Sequence, residues 1–181
     1  MPLSAPAPLA EAHEIEAFDC GVAALDDWLR RRARANQLSG ATRTFVVCDG
    51  RRVVGYVVLA SGPVSTAVAT GRFRRNMPEP VPVAVLARLA VDRAYGGRGI
   101  GRGLVRDCAR RVLHASDAIG IRGVAVHAIS EAAKTFYLAL GFDPSPLEPL
   151  TLMATLADLR ESLLESQGLV PDQILTRALQ P

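Results

Sequence analysis

Long hydrophobic runs are missing from this 181-residue chain. Its longest apolar stretches, Val53–Ala60 and Val83–Ala87, fall far short of the about 20 residues that span a bilayer, so no membrane segment is expected. The Ala/Pro-rich start, Met1 to Glu11, has neither a basic patch nor an apolar h-region, which argues against a secretory signal. Cysteine is scarce: Cys20, Cys48 and Cys108 stand at spacings that suit neither a disulfide framework nor a metal site. His114 and His127 are isolated, and two separate histidines do not make a metal site, so none is expected. A soluble protein of the reducing cytoplasm is the expectation. Lysine is nearly absent as well, Lys134 being the single one among 21 basic residues.

What is present is enough for one packed domain. Apolar residues make up 49% of the chain and charged ones 22%, which permits a core and excludes global disorder. The net charge is only +3, yet seven arginines lie between Arg30 and Arg52 against one acid, Asp49. Arg72, Arg74 and Arg75 form a second cluster. A GC-rich genome would produce the same bias toward arginine, and a solvated basic loop is the plain alternative. Arginine also suits phosphate, because its planar fork donates two parallel hydrogen bonds.

Periodicity predicts the elements. Val22, Leu25, Trp28 and Leu29 recur at helical spacing after the turn Asp19–Gly21. Thr42–Cys48 and Val53–Ala60 read as strands joined by the hairpin signal Asp49-Gly50. Residues 62–82 read as an irregular excursion. In the next strand, Val83–Val91, the residues Val83, Val85, Ala87, Leu89 and Val91 are expected on one face. Ile100, Leu104, Cys108 and Val112 mark a helix, Ile121–Ala128 a buried strand, and Ser130–Leu140 a helix capped by Ser130 and stopped by Gly141. Leu150–Leu156 reads as a last strand and Ala157–Ser166 as a short helix. The order predicts an α/β (α+β) domain around a mixed sheet, with a flexible N-terminus at 1–12, the domain at 13–160 and a C-terminal extension at 161–181.

The most informative segment is Tyr95 to Gly103, with five glycines in the eight positions from Gly96 onward, set between a strand and a helix. Glycine lets backbone approach a ligand closely, and the first amides of a helix favour negative charge. Arg98 and Arg102 add direct charge, so a phosphate or pyrophosphate is the predicted guest. The Lys-Ser/Thr pair of a P-loop is missing, and no acid follows at the spacing of the dinucleotide fingerprint. A glycine-rich turn without a ligand is the remaining alternative.

Arg98-Gly99-Ile100-Gly101-Arg102-Gly103 resembles the Arg/Gln-x-x-Gly-x-Gly/Ala loop of the GNAT N-acetyltransferases. Leu89-Ala90-Val91 is similar to their acetyl-CoA strand, and Phe136-Tyr137 with Gly141-Phe142 to their closing signature. The resemblance implies a single GNAT-like domain with acetyl-CoA as co-substrate. It implies that Leu89, Ala90 and Val91 meet the acetyl-pantetheine arm, and that Gly97 and the backbone of Gly99 to Gly103 hold the pyrophosphate. It implies that Tyr137 is the general acid, a role its ordinary pKa near 10 suits; packing beside Phe136 and Phe142 is the alternative. Where many family members carry Asn, this chain has Ser130. No general base is evident; Glu131 reads as solvated, and Cys20 has no histidine to activate it.

Phe18-Asp19-Cys20-Gly21, Leu25-Asp26-Asp27-Trp28-Leu29, Ala41–Val46, Arg88-Leu89-Ala90-Val91-Asp92, Pro144–Leu147 and Thr151-Leu152-Met153 extend the similarity to the GNAT toxins of bacterial toxin–antitoxin modules. That likeness implies acetylation of the α-amino group of aminoacyl-tRNA and inhibition of translation, a ribbon-helix-helix antitoxin as partner, and a homodimer. Arg30, Arg31, Arg34, Arg72, Arg74 and Arg75 are then candidates for gripping tRNA phosphates. A GNAT enzyme acting on a small amine or a protein N-terminus, and a non-catalytic acetyl-CoA-binding regulatory module, are the rival readings.

Overall fold

A computed structural model describes residues 2–168. In chain order its elements are β1 (Ala7–Pro8), α1 (Ala23–Arg31), α2 (Ala33–Ser39), β2 (Arg43–Asp49), β3 (Arg52–Val64), α3 (Gly71–Arg74) and β4 (Val81–Val91). A 3-10 turn at Arg93–Tyr95 leads to α4 (Ile100–Ser116), β5 (Gly123–His127), α5 (Glu131–Ala139), β6 (Asp143–Pro144), β7 (Thr151–Thr155) and α6 (Leu156–Glu165). The strands form a mixed seven-stranded sheet in the order β1-β2-β3-β4-β5-β7-β6. By contacts the chain divides into two compact units. Among the described residues, the first holds 2–61 and 85–108, and the second holds 62–84 and 109–168. No helix among the described residues is long and apolar enough to cross a membrane.

In the first unit, β2 and β3 form the hairpin that Asp49-Gly50 announced, with Gly50 at φ 60°. Ser4–Leu9, within the segment set apart by sequence as 1–12, lies along β2: Ala7 is registered with Val46, and the Leu9 amide donates to the Thr44 carbonyl at 2.9 Å. Pro8 is tolerated there because an edge strand has one side free of ladder bonds. Tyr56 on β3 is fully buried, and its hydroxyl donates to the Leu25 carbonyl at 2.8 Å, which ties α1 to one face of the sheet. Gly55 faces the other way. A Cβ there would lie 2.7 Å from Ile100 Cγ2, so α4 packs directly on glycine backbone.

The alternation predicted for β4 needs correction. Val81 and Val83 are buried, but the buried positions then become Leu86 and Ala90, and Ala87 is exposed. The inward face changes parity along the strand, so Val83, Val85, Ala87, Leu89 and Val91 do not share one buried side. The excursion at 62–82 is also more regular than predicted, since β3 runs on to Val64, α3 forms at Gly71–Arg74 and β4 starts at Val81. Short elements of two to four residues carry too few positions for a period to be read, which is why β1, α3 and β6 escape sequence patterning.

In the second unit, β5 pairs with β7 and β7 with β6, all antiparallel. Ser130 caps α5 as expected, accepting from the Ala133 amide at 3.1 Å, and Gly141 ends it at φ 90°. Thr155 and Asp158 form a capping box that starts α6, so the predicted boundary at 160/161 falls inside a helix. The end of the expected C-terminal extension, 169–181, lies outside the described residues. Gly123 is held tightly, because a Cβ there would approach the Ala154 carbonyl oxygen to 2.0 Å. Backbone cannot yield to a methyl group cheaply. Gly123→Ala is therefore expected to cost about 1–3 kcal/mol by overpacking, read as a lowered midpoint in urea unfolding; an unchanged midpoint would contradict the β5–β7 spacing.

Candidate active site

The glycine-rich segment begins from a fixed anchor. Asp92, 2% exposed, follows β4 directly. Its carboxylate accepts from the Ala94 amide at 2.9 Å, from the Arg52 guanidinium at 3.0 Å and from the Asp19 amide at 3.4 Å. Tyr95 then donates its hydroxyl to Asp49 at 2.8 Å, a bond that raises the phenol above its usual pKa. Arg98 lies over the Tyr95 ring, 4.8 Å from its centroid. The turn into the helix is thus tied to β2 and β3 before the glycines begin.

Gly97 and Gly99 have φ of 74° and 77°, the left-handed region that side chains with a Cβ avoid. The first hydrogen bond of α4 runs from the Gly103 amide to the Gly99 carbonyl at 3.0 Å. The amides of Ile100, Gly101 and Arg102 precede that ladder and have no intrahelical partner. The Gly103 amide is itself engaged by that bond. Above Gly97, Gly99 and Gly103 a Cβ would meet nothing within 4 Å. These glycines therefore leave room in front of the helix. A diphosphate fits this cradle by charge, donors and space.

Of the neighbouring strand residues, Ala90 is buried in the core with Trp28 and Tyr56, while Leu89 and Val91 are half-buried. Gly55 stands outside the motifs quoted above, and Asp92 is quoted there without a role, yet both position the loop. Both left a signal: an isolated glycine inside a strand pattern marks close backbone approach, and an Asp at a strand end marks a turn cap.

Tyr137 belongs to the second unit. It is 5% exposed, near the end of α5. The Phe136 ring meets it edge-on at 5.2 Å and the Phe142 ring at 5.6 Å. Gly141 lets the chain reverse so that the Phe142 amide returns to the Tyr137 carbonyl at 3.2 Å. The two rings pack the Tyr137 ring from both sides.

The candidate phosphate-gripping arginines separate into two kinds. Arg30 donates to the Phe18 carbonyl at 2.7 Å, and Arg34 to the His13 carbonyl at 2.7 Å. Arg72 bridges Asp143 at 2.9 Å and Asp158 at 2.8 Å. Arg122 donates to the carbonyls of Arg72 at 2.6 Å and Phe73 at 2.8 Å, closing the end of α3. These side chains hold segments together. Arg31, Arg74 and Arg75 are exposed, Arg74 reaching only the Thr66 carbonyl at 3.4 Å.

His127 Nδ1 lies 3.1 Å from Thr151 Oγ1, and His114 is exposed. No group of three or more His, Cys, Asp or Glu among the described residues is placed to hold a metal ion. Cys20 is half-buried, and burial together with the nearby Asp26 carboxylate pushes its thiol up to about 11. Its thiolate is then scarce at neutral pH, which disfavours a nucleophilic role. At pH 8, alkylation of Cys20 by iodoacetamide is expected to run on the order of a hundredfold slower than that of a free thiol, rising with pH toward 11. Peptide mapping measures this, and rapid labelling at pH 8 would refute the shift.

Residues 40–144 match the profile of the acetyltransferase (GNAT) domain. The chain is 49% identical over 157 residues to a tRNA-acetylating toxin of Mycobacterium tuberculosis (strain ATCC 25618 / H37Rv), covering 87% of this chain and 95% of that protein. AtaT complexed with acetyl-methionyl-tRNAfMet superposes with a TM-score of 0.81 at 28% identity, over 88% of this chain and 98% of that one. A tyrosine-to-phenylalanine mutant of AtaT, bound to the C-terminus of the antitoxin AtaR and acetyl-CoA, gives a TM-score of 0.76 at 29% identity, over 89% and 97%. With the profile match spanning the glycine-rich loop and Tyr137 alike, the chain belongs to the GNAT acetyltransferase family.

Proposed function

We propose that this protein is an acetyl-CoA-dependent N-acetyltransferase that modifies the α-amino group of aminoacyl-tRNA and so acts as a toxin on translation. The observation that carries the cofactor half is the run of amides at Ile100, Gly101 and Arg102, which have no backbone partner among the described residues and lie behind glycines with open space in front. Those amides, with Arg98 and Arg102, hold the diphosphate of coenzyme A. Backbone groups of Leu89 to Val91 guide the acetyl-pantetheine arm. The acceptor half draws on the likeness to a tRNA-acetylating toxin and to AtaT with its acetylated tRNA.

In the reaction the amine nitrogen forms a bond to the thioester carbonyl carbon, the carbon–sulfur bond breaks, and the amine proton passes to solvent water, from which the Tyr137 phenol is reprotonated. Tyr137 supplies the proton that the departing sulfur takes up. An α-amine suits a site without an evident base. With a pKa near 7.7 it is about one-third neutral at pH 7.4, whereas a lysine amine near 10.4 is only about 0.1% neutral. Of the basic residues, Arg31, Arg74 and Arg75 carry the charge offered to tRNA, while Arg30, Arg34 and Arg72 keep its mounting in place. The working protein is cytoplasmic, and its partners are a ribbon-helix-helix antitoxin and a second copy of itself. AtaT bound to the C-terminus of AtaR supports the antitoxin.

Mass spectrometry of tRNA-linked amino acids, after incubation of charged bacterial tRNA with protein and acetyl-CoA, tests the whole reading. N-acetylated amino acid is expected with the wild type, and Tyr137→Phe should lower the rate about 10²–10⁴-fold while acetyl-CoA binding persists. Unmodified amino acids would overturn the acceptor, and a fully active Tyr137→Phe would remove the acid. For the basic surface, Arg74→Ala with Arg75→Ala should weaken tRNA binding and flatten its dependence on salt by about 0.7–0.9 per lost phosphate contact. Filter binding across a salt series measures this, and an unchanged slope would take both arginines out of the interface.

A further inference from the structure

One side chain of the motif Arg88-Leu89-Ala90-Val91-Asp92 has no task in the reading above. Arg88 lies on β4, its guanidinium carbon 4.5 Å from the centroid of the Trp28 ring. That ring rests on a rigid stack. Trp28 lies against Tyr56 at 6.0 Å with planes 13° apart, Phe18 meets Tyr56 edge-on at 5.4 Å, and all three are buried. The cation is therefore oriented before any ligand arrives. It is also half-buried, and no hydrogen bond or ion pair to it is found among the described residues. In this Arg88 differs from Arg30, Arg34 and Arg72, whose charge is spent on carbonyls and carboxylates. A partly desolvated, oriented and unpaired guanidinium is what an anion-binding position requires.

Its face of the sheet separates it from the diphosphate cradle. Side chains alternate along a strand, so Arg88 shares a side with Ala90, which is buried with Trp28 and Tyr56 beneath α1. Gly55 faces the opposite way, onto Ile100 and Leu104 of α4. Arg88 thus stands on the face away from the amides at the start of α4 and does not serve the same phosphate.

We propose that Arg88 is the subsite for an anionic group of the acceptor, a phosphate of the single-stranded 3′ end of aminoacyl-tRNA, with the Trp28 ring as its platform. The inference rests on the aminoacyl-tRNA reading and adds the residue that seats the reacting end. Steady-state kinetics with charged bacterial tRNA and labelled acetyl-CoA test it, in wild type, Arg88→Ala, Arg88→Gln and Arg88→Lys. Both uncharged variants should raise KM for charged tRNA about tenfold or more and lower the salt slope of tRNA binding by about 0.7, one single-strand phosphate contact. KM for acetyl-CoA should stay within about twofold. Arg88→Lys should restore the slope but only part of KM, because an ammonium keeps the charge and loses the planar fork. A purely structural role would shift melting temperature and the emission of Trp28, the chain's single tryptophan, without moving the salt slope. If Arg88→Ala folds poorly, Arg88→Gln, which keeps a planar group over the indole, decides the matter. An unchanged slope and unchanged KM for tRNA in a folded, uncharged variant would overturn the subsite. Failure of the wild type to acetylate any charged tRNA, with acetyl-CoA binding intact, would instead overturn the acceptor reading beneath it.

Discussion

A helix that begins without side chains in front of it is the constraint on which the rest depends. The amides of Ile100, Gly101 and Arg102 have no helical partners by construction, and backbone donors left so near a protein surface are either hydrated or satisfied by a ligand. What makes them a site is their fixed position. Gly55 allows Ile100 to pack onto the strand backbone, and buried Asp92 gathers Ala94, Arg52 and Asp19 around the turn just upstream. Between that turn and the helix, the left-handed residues Gly97 and Gly99 set the direction of the chain.

The arginines show how little a charge cluster says until its partners are known. Among the clustered arginines, Arg30 and Arg34 close carbonyls of the N-terminal segment, and Arg72, with the separate Arg122, fastens α3 to its surroundings in the second unit. Such bonds use up the donors that a phosphate would need. Two other sorts stand beside these engaged ones: exposed cations, such as Arg31 and Arg75, that contribute a diffuse field, and Arg88 and Arg98, which are laid over an aromatic ring and aimed. A field speeds encounter and is weakened by salt, whereas an aimed guanidinium selects geometry.

Aromatic packing holds Tyr137. Phe136 and Phe142 restrict the phenol to one direction, and the reversal at Gly141 is what brings Phe142 back beside it. The same economy operates at Trp28 and Tyr56, where the rings that fill the core of the first unit also carry Arg88 at their edge. Neither position could be made more polar without loosening the core that orients it.

The primary structure by itself determined the features that depend on neighbours in sequence. The helices with an apolar period, the Asp49-Gly50 hairpin, the Ser130 cap, the Gly141 stop and the glycine-rich strand-to-helix junction were all legible, because each is set by local backbone preference or by a repeat of 3.6 or 2. The family motifs were legible for the same reason, being runs of adjacent residues. Tertiary structure alone decided the rest. It changed the inward face of β4 between Val83 and Leu86, laid Ser4–Leu9 along β2, engaged the Gly103 amide, and separated the structural arginines from the free ones. Those outcomes turn on contacts between residues far apart in the chain, such as Arg52 with Asp92 and Arg72 with Asp158, and no local pattern encodes which partner a side chain will meet.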